Sequence, residues 1–456
     1  MMKNLYKVLL LVVIAVLFLA ACAPATPAEA PAEEAPAEEV SAEEEPMEEE
    51  PAAEEPMEEV PMEEEPMMEA TELTIGFTAS QTGRYNTEST RQINGVNLFL
   101  DSVADGFAVG DGTATFNTVF YDDESTTERV QELYTRLATE DNADFLISPY
   151  SSGLTDASAV IAEQYGKIMV TTGAASDGTY QKGFTLVYQA YTPASRYLTG
   201  AVDELQYLDP DVTKLAFVYE NSQFSTDVVT AARDYAESLG YETVLFEGYD
   251  PETADFAPFI NKVEAAQPEA ILGGGHFQDG SAFARQLYEK GISVNYMALL
   301  VAPPEPTFGE LGEAALGIVG PSQWEPLAEF TPEAAEAEGL EWFGPTGAEF
   351  VSAYMDAYDE EPSYHAAGGY VAAMILQKAL MDAGSTDPEA VKAALDNLDV
   401  LTFYGHIKFD TSPENHGLQI GHDMIYVQWQ GSGDDLHKEV VWPLAGMTAD
   451  AIYPIR

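Results

Sequence analysis

Cysteine is nearly absent from this sequence: 456 residues contain one, Cys22. An internal disulfide and a thiolate-based metal site are both excluded, so the folded part must be stable through the size of its core. Basic residues are also scarce, with 19 Lys and Arg against 78 Asp and Glu and a formal net charge of −59. Such a surface repels polyanions, and no basic stripe reverses the field locally, so nucleic acid is not an expected partner. Catalytic signatures are missing as well. There is no GxGxxG after the first strand pattern, no phosphate loop ending in Lys-Ser or Lys-Thr, no GxSxG turn and no HExxH. His416 and His422 lie near each other in a Gly-containing stretch and read as loop residues rather than as a metal pair. Asp122 and Asp123 are adjacent at a strand end, where neighbouring side chains point to opposite faces, so a capping or loop role is expected rather than a catalytic carboxylate pair. No enzyme, metal or cofactor is expected from these residues.

The chain opens Met-Met-Lys-Asn-Leu-Tyr-Lys, runs without charge from Val8 to Phe18, and then reads Leu19-Ala20-Ala21-Cys22. A short basic region, an apolar stretch too short to span a bilayer comfortably, and small residues before a cut site form an export signal. The cysteine after two alanines is where a lipoprotein signal peptidase exposes a thiol for lipid attachment, so residues 1–22 are expected to be a signal peptide with Cys22 as membrane anchor. Residues 23–70 are almost entirely Ala, Pro, Glu and Met, with no Lys or Arg. Dense like charge and repeated proline leave too little burial to offset chain entropy, which predicts an extended acidic tether.

Beyond the tether, short β-type runs alternate with longer amphipathic segments. Leu73–Ala79 leads into a helical pattern through Ile93, Val96 and Leu100; Ala114–Tyr121 leads into one through Val130, Leu133 and Leu137; Phe145–Ile147 precedes Asp156–Tyr165. The same order restarts at Leu215–Tyr219 and continues through Ala270–Leu272. This βα alternation predicts an α/β protein with two doubly wound, Rossmann-like lobes joined by a multi-strand hinge. Late helices at Ala348–Tyr358, Ala366–Ala383 and Pro388–Asn397 lack strands of their own and are expected to return to the first lobe. The expected division is residues 71–192 with 322–402 for the first lobe and 193–321 with 403–456 for the second.

In doubly wound lobes a ligand sits where loops diverge at strand ends. Four loops qualify here. Ser148-Pro-Tyr-Ser-Ser-Gly153 and Thr171-Thr-Gly-Ala-Ala-Ser176 are rich in small and hydroxyl residues, which allow close approach to backbone N–H groups and suit a carboxylate at a helix N-terminus. Ser151, Ser152, Ala174 and Ser176 are the candidates. From the second lobe, Glu220-Asn-Ser-Gln-Phe224 and Gly273-Gly-Gly-His-Phe-Gln-Asp279 offer Phe224 to cover an apolar group, and His276 and Asp279 to meet a polar or ammonium end.

Tyr121-Asp-Asp-Glu-Ser125, the Ser151 and Ala174 loops, Gly273–Gly291, Thr78–Gly83 and Tyr364-His-Ala-Ala-Gly-Gly-Tyr370 together resemble the branched-chain amino-acid-binding proteins of the type I periplasmic binding fold. The resemblance runs from Leu73 to Gln430. It implies a solute-binding subunit of an ABC importer that closes on an amino acid or related small carboxylate, with a membrane permease and its ATPase as partners. It also implies that Ser151 holds the ligand carboxylate, that Gly173–Ser176 offers backbone groups to the ligand, and that Phe224 and His276 pack on it. Two departures matter: the second loop has no threonine at the expected place, and the family's ammonium-binding glutamate has no counterpart in Ala298–Pro304, the nearest acids being Glu305 and Asp279. A ligand without an amine, such as an aromatic acid, a dicarboxylate or a small amide, stays open, as does a sensory lipoprotein using the same fold.

Overall fold

The computed structural model describes residues 70–455, so the signal segment, Cys22 and the acidic tether lie outside the described residues. Two sheets organise them. The first contains β1 (Thr71–Ala79), β2 (Phe107–Val109), β3 (Gly112–Asp122), β4 (Phe145–Ile147), β5 (Ile168–Thr171) and β6 (Val187–Gln189) in the order β2-β3-β1-β4-β5-β6. All pairings except the β2–β3 hairpin are parallel. The central strands β4 and β5 are fully buried and apolar except for Thr171 at the end of β5, as a sheet covered by helices on two sides requires.

The second sheet contains β7 (Lys214–Glu220), β8 (Glu242–Tyr249), β9 (Ala270–Gly274), β10 (Tyr296–Leu299) and β11 (Val319–Ser322). The chain then forms a small separate sheet from β12 (Glu341–Trp342), β13 (Asp399–Thr402) and β14 (Gly405–Lys408), and closes with β15 (Ile425–Gln430) and β16 (His437–Trp442). The last two rejoin the second sheet, giving β16-β15-β11-β10-β9-β7-β8, with β15 antiparallel to β11. One expected boundary is corrected here. Residues from 403 were assigned to the second lobe, but β14 pairs with β13, and Phe403, Tyr404, Ile407 and Phe409 are buried in the first core. The β pattern in this stretch shows only that a strand is present, and the same apolar residues serve either core.

The helix Tyr364–Ala383 is buried along most of its length and packs on Asn86–Ser102. The two approach so closely that a Cβ on Gly95 would lie 1.9 Å from the Ala366 carbonyl oxygen, and one on Gly369 would lie 2.0 Å from that of Gln92. This is how a late helix completes the core behind β1.

Three segments cross between the two sheets: after β6, after β11 and before β15. They are tied to one another. The Thr192 N–H donates to Gln323 Oε1 at 2.8 Å, Thr192 Oγ1 lies 2.7 Å from His422 Nδ1, and His422 Nε2 lies 2.9 Å from the Tyr404 carbonyl. His422 is therefore a buried brace rather than a free loop residue, and burial lowers its pKa to about 4. His416 is likewise buried, with Nε2 at 3.0 Å from Asp396.

Candidate functional site

The strand-end loops of the two lobes meet face to face. In the first lobe, Ser148 joins its loop to the next one, since its Oγ donates to the Thr172 carbonyl at 2.9 Å and accepts from the Thr172 N–H at 3.0 Å. Ser152 Oγ accepts from the N–H groups of Ala175 and Ser176 at 3.1 and 3.3 Å. Gly173 sits at φ +67°, and a Cβ there would strike the Tyr150 ring and Gln92 Oε1. The small residues thus lock the two loops together at close range. Ser151 stands at the N-cap of the helix Ser152–Gln164, whose free N–H groups and dipole suit an anion.

In the second lobe, the three glycines before His276 have a packing cause. Gly273 lies at φ +144°, and a Cβ there would sit 2.1 Å from the Val218 carbonyl oxygen; one on Gly275 would meet Asp279 and Glu220. His276 heads the helix Phe277–Lys290, and Asp279 reaches back to accept the His276 N–H at 2.8 Å. The His276 Nδ1 lies 2.5 Å from Glu220 Oε2, and Glu220 Oε1 accepts from Arg84 of the first lobe at 2.8 Å. Burial raises the Glu220 pKa, but His276 and Arg84 outweigh it and hold the carboxyl below its usual range. Burial works against charge on His276, yet the facing Glu220 carboxylate carries its pKa above the ordinary imidazole value. Asp279 is pushed up to about 6 by burial, with Glu220 adding to it.

A narrow inner cavity lies between these faces, with about 10 Å³ open to the centre of a water-sized sphere. Ser151, Gly173, Ala175 and Tyr364 line it from the first side, and Phe224, His276 and Val301 from the other. The Phe224 ring stands 5.2 Å from Tyr197 and 5.7 Å from His276. A second, outer pocket of about 290 Å³ opens beside it and is lined by Arg84, Glu220, His276 and Asp279. Glu220, His276 and Asp279 hold donor atoms within 4.8 Å of one another. All four carboxylate oxygens are already partnered, Glu220 by Arg84 and His276 and Asp279 by the Tyr249 hydroxyl and the His276 N–H.

The seven candidates therefore take different places. Ser151, Phe224 and His276 line the inner cavity. Ser152 is the clamp between loops, and the Ala174 carbonyl accepts from Gln189 at 3.3 Å. Ser176 bridges the lobes, donating to Asp227 Oδ2 at 2.5 Å and accepting from Gln223 at 2.9 Å. Asp279 lines the outer pocket and caps its own helix. Sequence reasoning missed the tyrosines Tyr150, Tyr191, Tyr197 and Tyr364 and the imidazole of His365 on the cavity wall. Their one sequence signal was position, because Tyr150 and Tyr364-His365 sit inside stretches already singled out.

Further bonds close the cleft. Glu88 Oε1 of the first lobe accepts the Phe277 N–H of the second at 3.0 Å. Glu305, in the loop after β10, meets His365 Nδ1 at 2.6 Å and Arg91 Nε at 3.1 Å, both on first-lobe helices. Two α/β lobes with an enclosed space between their strand ends and paired charges across the seam define a protein that binds a small molecule by closing on it.

Residues 72–434 match the family model described as periplasmic binding protein. The Leu/Ile/Val-binding protein homolog 7 of Brucella suis is 28% identical over 315 residues, covering 65% of this chain and 74% of that protein. The leucine-, isoleucine-, valine-, threonine- and alanine-binding protein of Pseudomonas aeruginosa is 21% identical over 345 residues, covering 75% and 87%. Among solved structures, the isoleucine complex of a branched-chain amino acid transporter substrate-binding protein from Streptococcus pneumoniae superposes with a TM-score of 0.67 at 21% identity, covering 82% of this chain and 100% of that one. A benzoate complex of an R. palustris solute-binding protein does so with 0.67 at 17%, covering 83% and 97%. The chain belongs to the periplasmic binding protein family, and this membership places its folded part outside the cytoplasm. Among the described residues no helix is long and apolar enough to cross a membrane.

Proposed function

We propose that this chain carries a small carboxylate, an amino acid or a related acid, in the inner cavity and delivers it to a membrane permease with its ATPase while held to the membrane by lipid on Cys22. One observation carries the ligand reading. Ser151 stands at a helix N-terminus on one wall of a space whose opposite wall, from the other lobe, holds Phe224 and His276. A carboxylate at the Ser151 end gains hydroxyl and backbone donors, and the rings cover an apolar remainder. The described form, with about 10 Å³ free between the walls, has room for a water at most, so the ligand enters when the lobes part and the walls stand further apart around it. Closure follows because only the shut form brings both walls to the ligand. The relatives support this class, since one binds branched-chain amino acids by name and a structural neighbour holds benzoate. The cavity performs no chemistry in this reading. The lobes divide the chain as residues 71–192 with 322–402 and 193–321 with the end of the chain, the stretch around β14 staying with the first.

A thermal-shift panel of amino acids, aromatic acids, dicarboxylates and amides on the purified protein tests the reading. A true ligand at 100 times its Kd adds about 2.7 kcal/mol to stability. Stabilisation by a carboxylate and by no uncharged analogue is the expected result, and an equal response to the amide of the same skeleton refutes it.

A further inference from the structure

We propose that a groove separate from the inner cavity, with Glu325 at its base and Leu327 and Met355 on its rim, is a second binding site and takes a small organic cation, a primary ammonium on an apolar body.

The groove opens about 650 Å³ to the centre of a water-sized sphere, within the roughly 300–1,000 Å³ of small-molecule sites. None of its lining residues lines the inner cavity. Both lobes and one crossing segment build it. Val351 and Met355 come from the helix Gly347–Tyr358 of the first lobe, Glu325 and Leu327 from the segment after β11, and Trp429 and Lys438 from β15 and β16 of the second. Gly309 allows close packing at its edge, since a Cβ there would stand 2.5 Å from the Trp429 ring. The rim is apolar and open to solvent, with Leu327 42% and Met355 50% exposed. One exposed apolar side chain is ordinary; two on the same recess form a surface that a ligand can cover.

The base of the groove carries its polar chemistry. Glu325 is 1% exposed; its Oε2 accepts from Lys438 Nζ at 2.7 Å, and its Oε1 has no partner among the described residues. Lys438 is drawn elsewhere as well, donating to the Pro304 carbonyl at 2.9 Å and lying 3.7 Å from Glu361. A buried carboxylate oxygen left without a bond is costly, and an N–H brought by a ligand satisfies it.

Charge selects the class of ligand. Among the described residues that line the groove, Lys438 is the one Lys or Arg, against the acids Glu310, Glu325 and Glu361, while His437 turns its ring to the Asp435 carbonyl and to Glu439. One more positive charge is attracted here and a carboxylate is repelled, the opposite of the preference proposed for the inner cavity. A primary ammonium gives Glu325 Oε1 its N–H and lays its apolar body along Leu327, Val351 and Met355. A quaternary ammonium has the charge without the N–H and leaves Oε1 unpaired.

The test is isothermal titration of the purified protein with 2-phenylethylamine, its alcohol 2-phenylethanol and its trimethylammonium derivative, on the wild type, Met355→Lys and Glu325→Gln. The amine is expected to bind at least about tenfold more tightly than either analogue, the worth of one charge-assisted bond. Met355 lies in the last turn of its helix, where a lysine suits the dipole, so Met355→Lys keeps the fold and places an ammonium of its own in the groove. It is expected to weaken the amine by about tenfold or more, and Glu325→Gln to erase the preference for amine over alcohol. Glu325→Gln also strips a partner from the buried Lys438, so the exposed substitution decides if that variant does not fold. Amine binding unchanged in Met355→Lys overturns the proposal, because the amine then sits elsewhere, the inner cavity included. Equal affinity for the alcohol overturns it too, as does a wild-type protein that binds no amine at millimolar concentration.

Discussion

Replacing Glu305 by Gln removes one negative charge from the seam between the lobes while keeping the shape of the side chain. Glu305 is fully buried, and His365 and Arg91 around it are 0% and 8% exposed at the side chain. Arg91 Nε approaches Oε2 at 3.1 Å without the alignment of a hydrogen bond, so that contact is Coulombic. At an effective dielectric of about 20, two unit charges at this distance attract by roughly 5 kcal/mol. Removing one partner of such a buried pair costs about 3–5 kcal/mol, because the other charge stays desolvated. Glu360 lies 3.5 Å from the Arg91 guanidinium and is partly exposed, so it compensates in part and places the expected loss near the lower figure. Burial alone would raise the Glu305 pKa, but His365 and Arg91 hold it below the ordinary carboxyl value of 4.5. The stability it contributes is therefore present above about pH 4.5 and is lost as the pH falls through the folded value, so the difference between variant and wild type narrows in acid. The loss should also appear as opening. The contacts join the loop after β10 to two first-lobe helices, and the variant is expected to show a larger radius of gyration by small-angle scattering. Urea unfolding at pH 7 that differs by less than about 1 kcal/mol from wild type, with unchanged scattering, refutes the assignment of Glu305 as the buried tie between lobes.

Ser151→Ala is expected to weaken the best carboxylate ligand by about 1–3 kcal/mol through loss of a hydroxyl bond to a charged group, measured by titration calorimetry; an unchanged Kd removes Ser151 from the site. His422, held neutral with a pKa near 4 against an unfolded value of 6.5, makes stability fall as pH drops from 6.5 toward 4, by about 3 kcal/mol in total. Denaturant unfolding between pH 7 and 4 should show this slope, and His422→Gln should flatten it. Glu204, on the buried face of the helix Thr199–Leu208 and bonded to the Tyr296 hydroxyl at 2.7 Å, is raised by burial to about 7 from 4.5. It favours the fold below the unfolded carboxyl value and withdraws that support as pH rises through 7, so Glu204→Gln is expected to gain up to about 3 kcal/mol at pH 8. A destabilised variant at that pH contradicts the mechanism.

The alternating strands and helices were legible because each lobe repeats one pattern of short apolar runs and amphipathic segments. What escaped was short or fully buried. The four-residue strands β10 and β11 lie within Tyr296–Pro304 and Ile318–Ser322, where nearly continuous apolar sequence has no period to read. The site was legible as loops and not as walls. Ser151, Phe224 and His276 follow from their position at strand ends, and each lies on the cavity. Ser152, Ala174 and Ser176 follow from the same rule yet turn to loop clamping or to bridging between lobes, because composition cannot tell a small residue that admits a ligand from one that admits another loop. Tyr191, Tyr197 and Tyr364 look like ordinary core aromatics in sequence. Only the topology, which brings β6, the crossing segment and the late helix to one point, gives them a shared surface.

The close packing of Gly95 on Ala366 has a consequence for how the protein is made. Ser102 and Tyr370, on the same pair of helices, are separated by 268 residues and lie within 3.5 Å. As synthesis proceeds from the N-terminus, the strands β1 to β6 emerge long before the helix that covers them, and the whole of β7 to β11 comes between. An apolar flank stays uncovered throughout that interval, so the half that is made first is among the last to be finished.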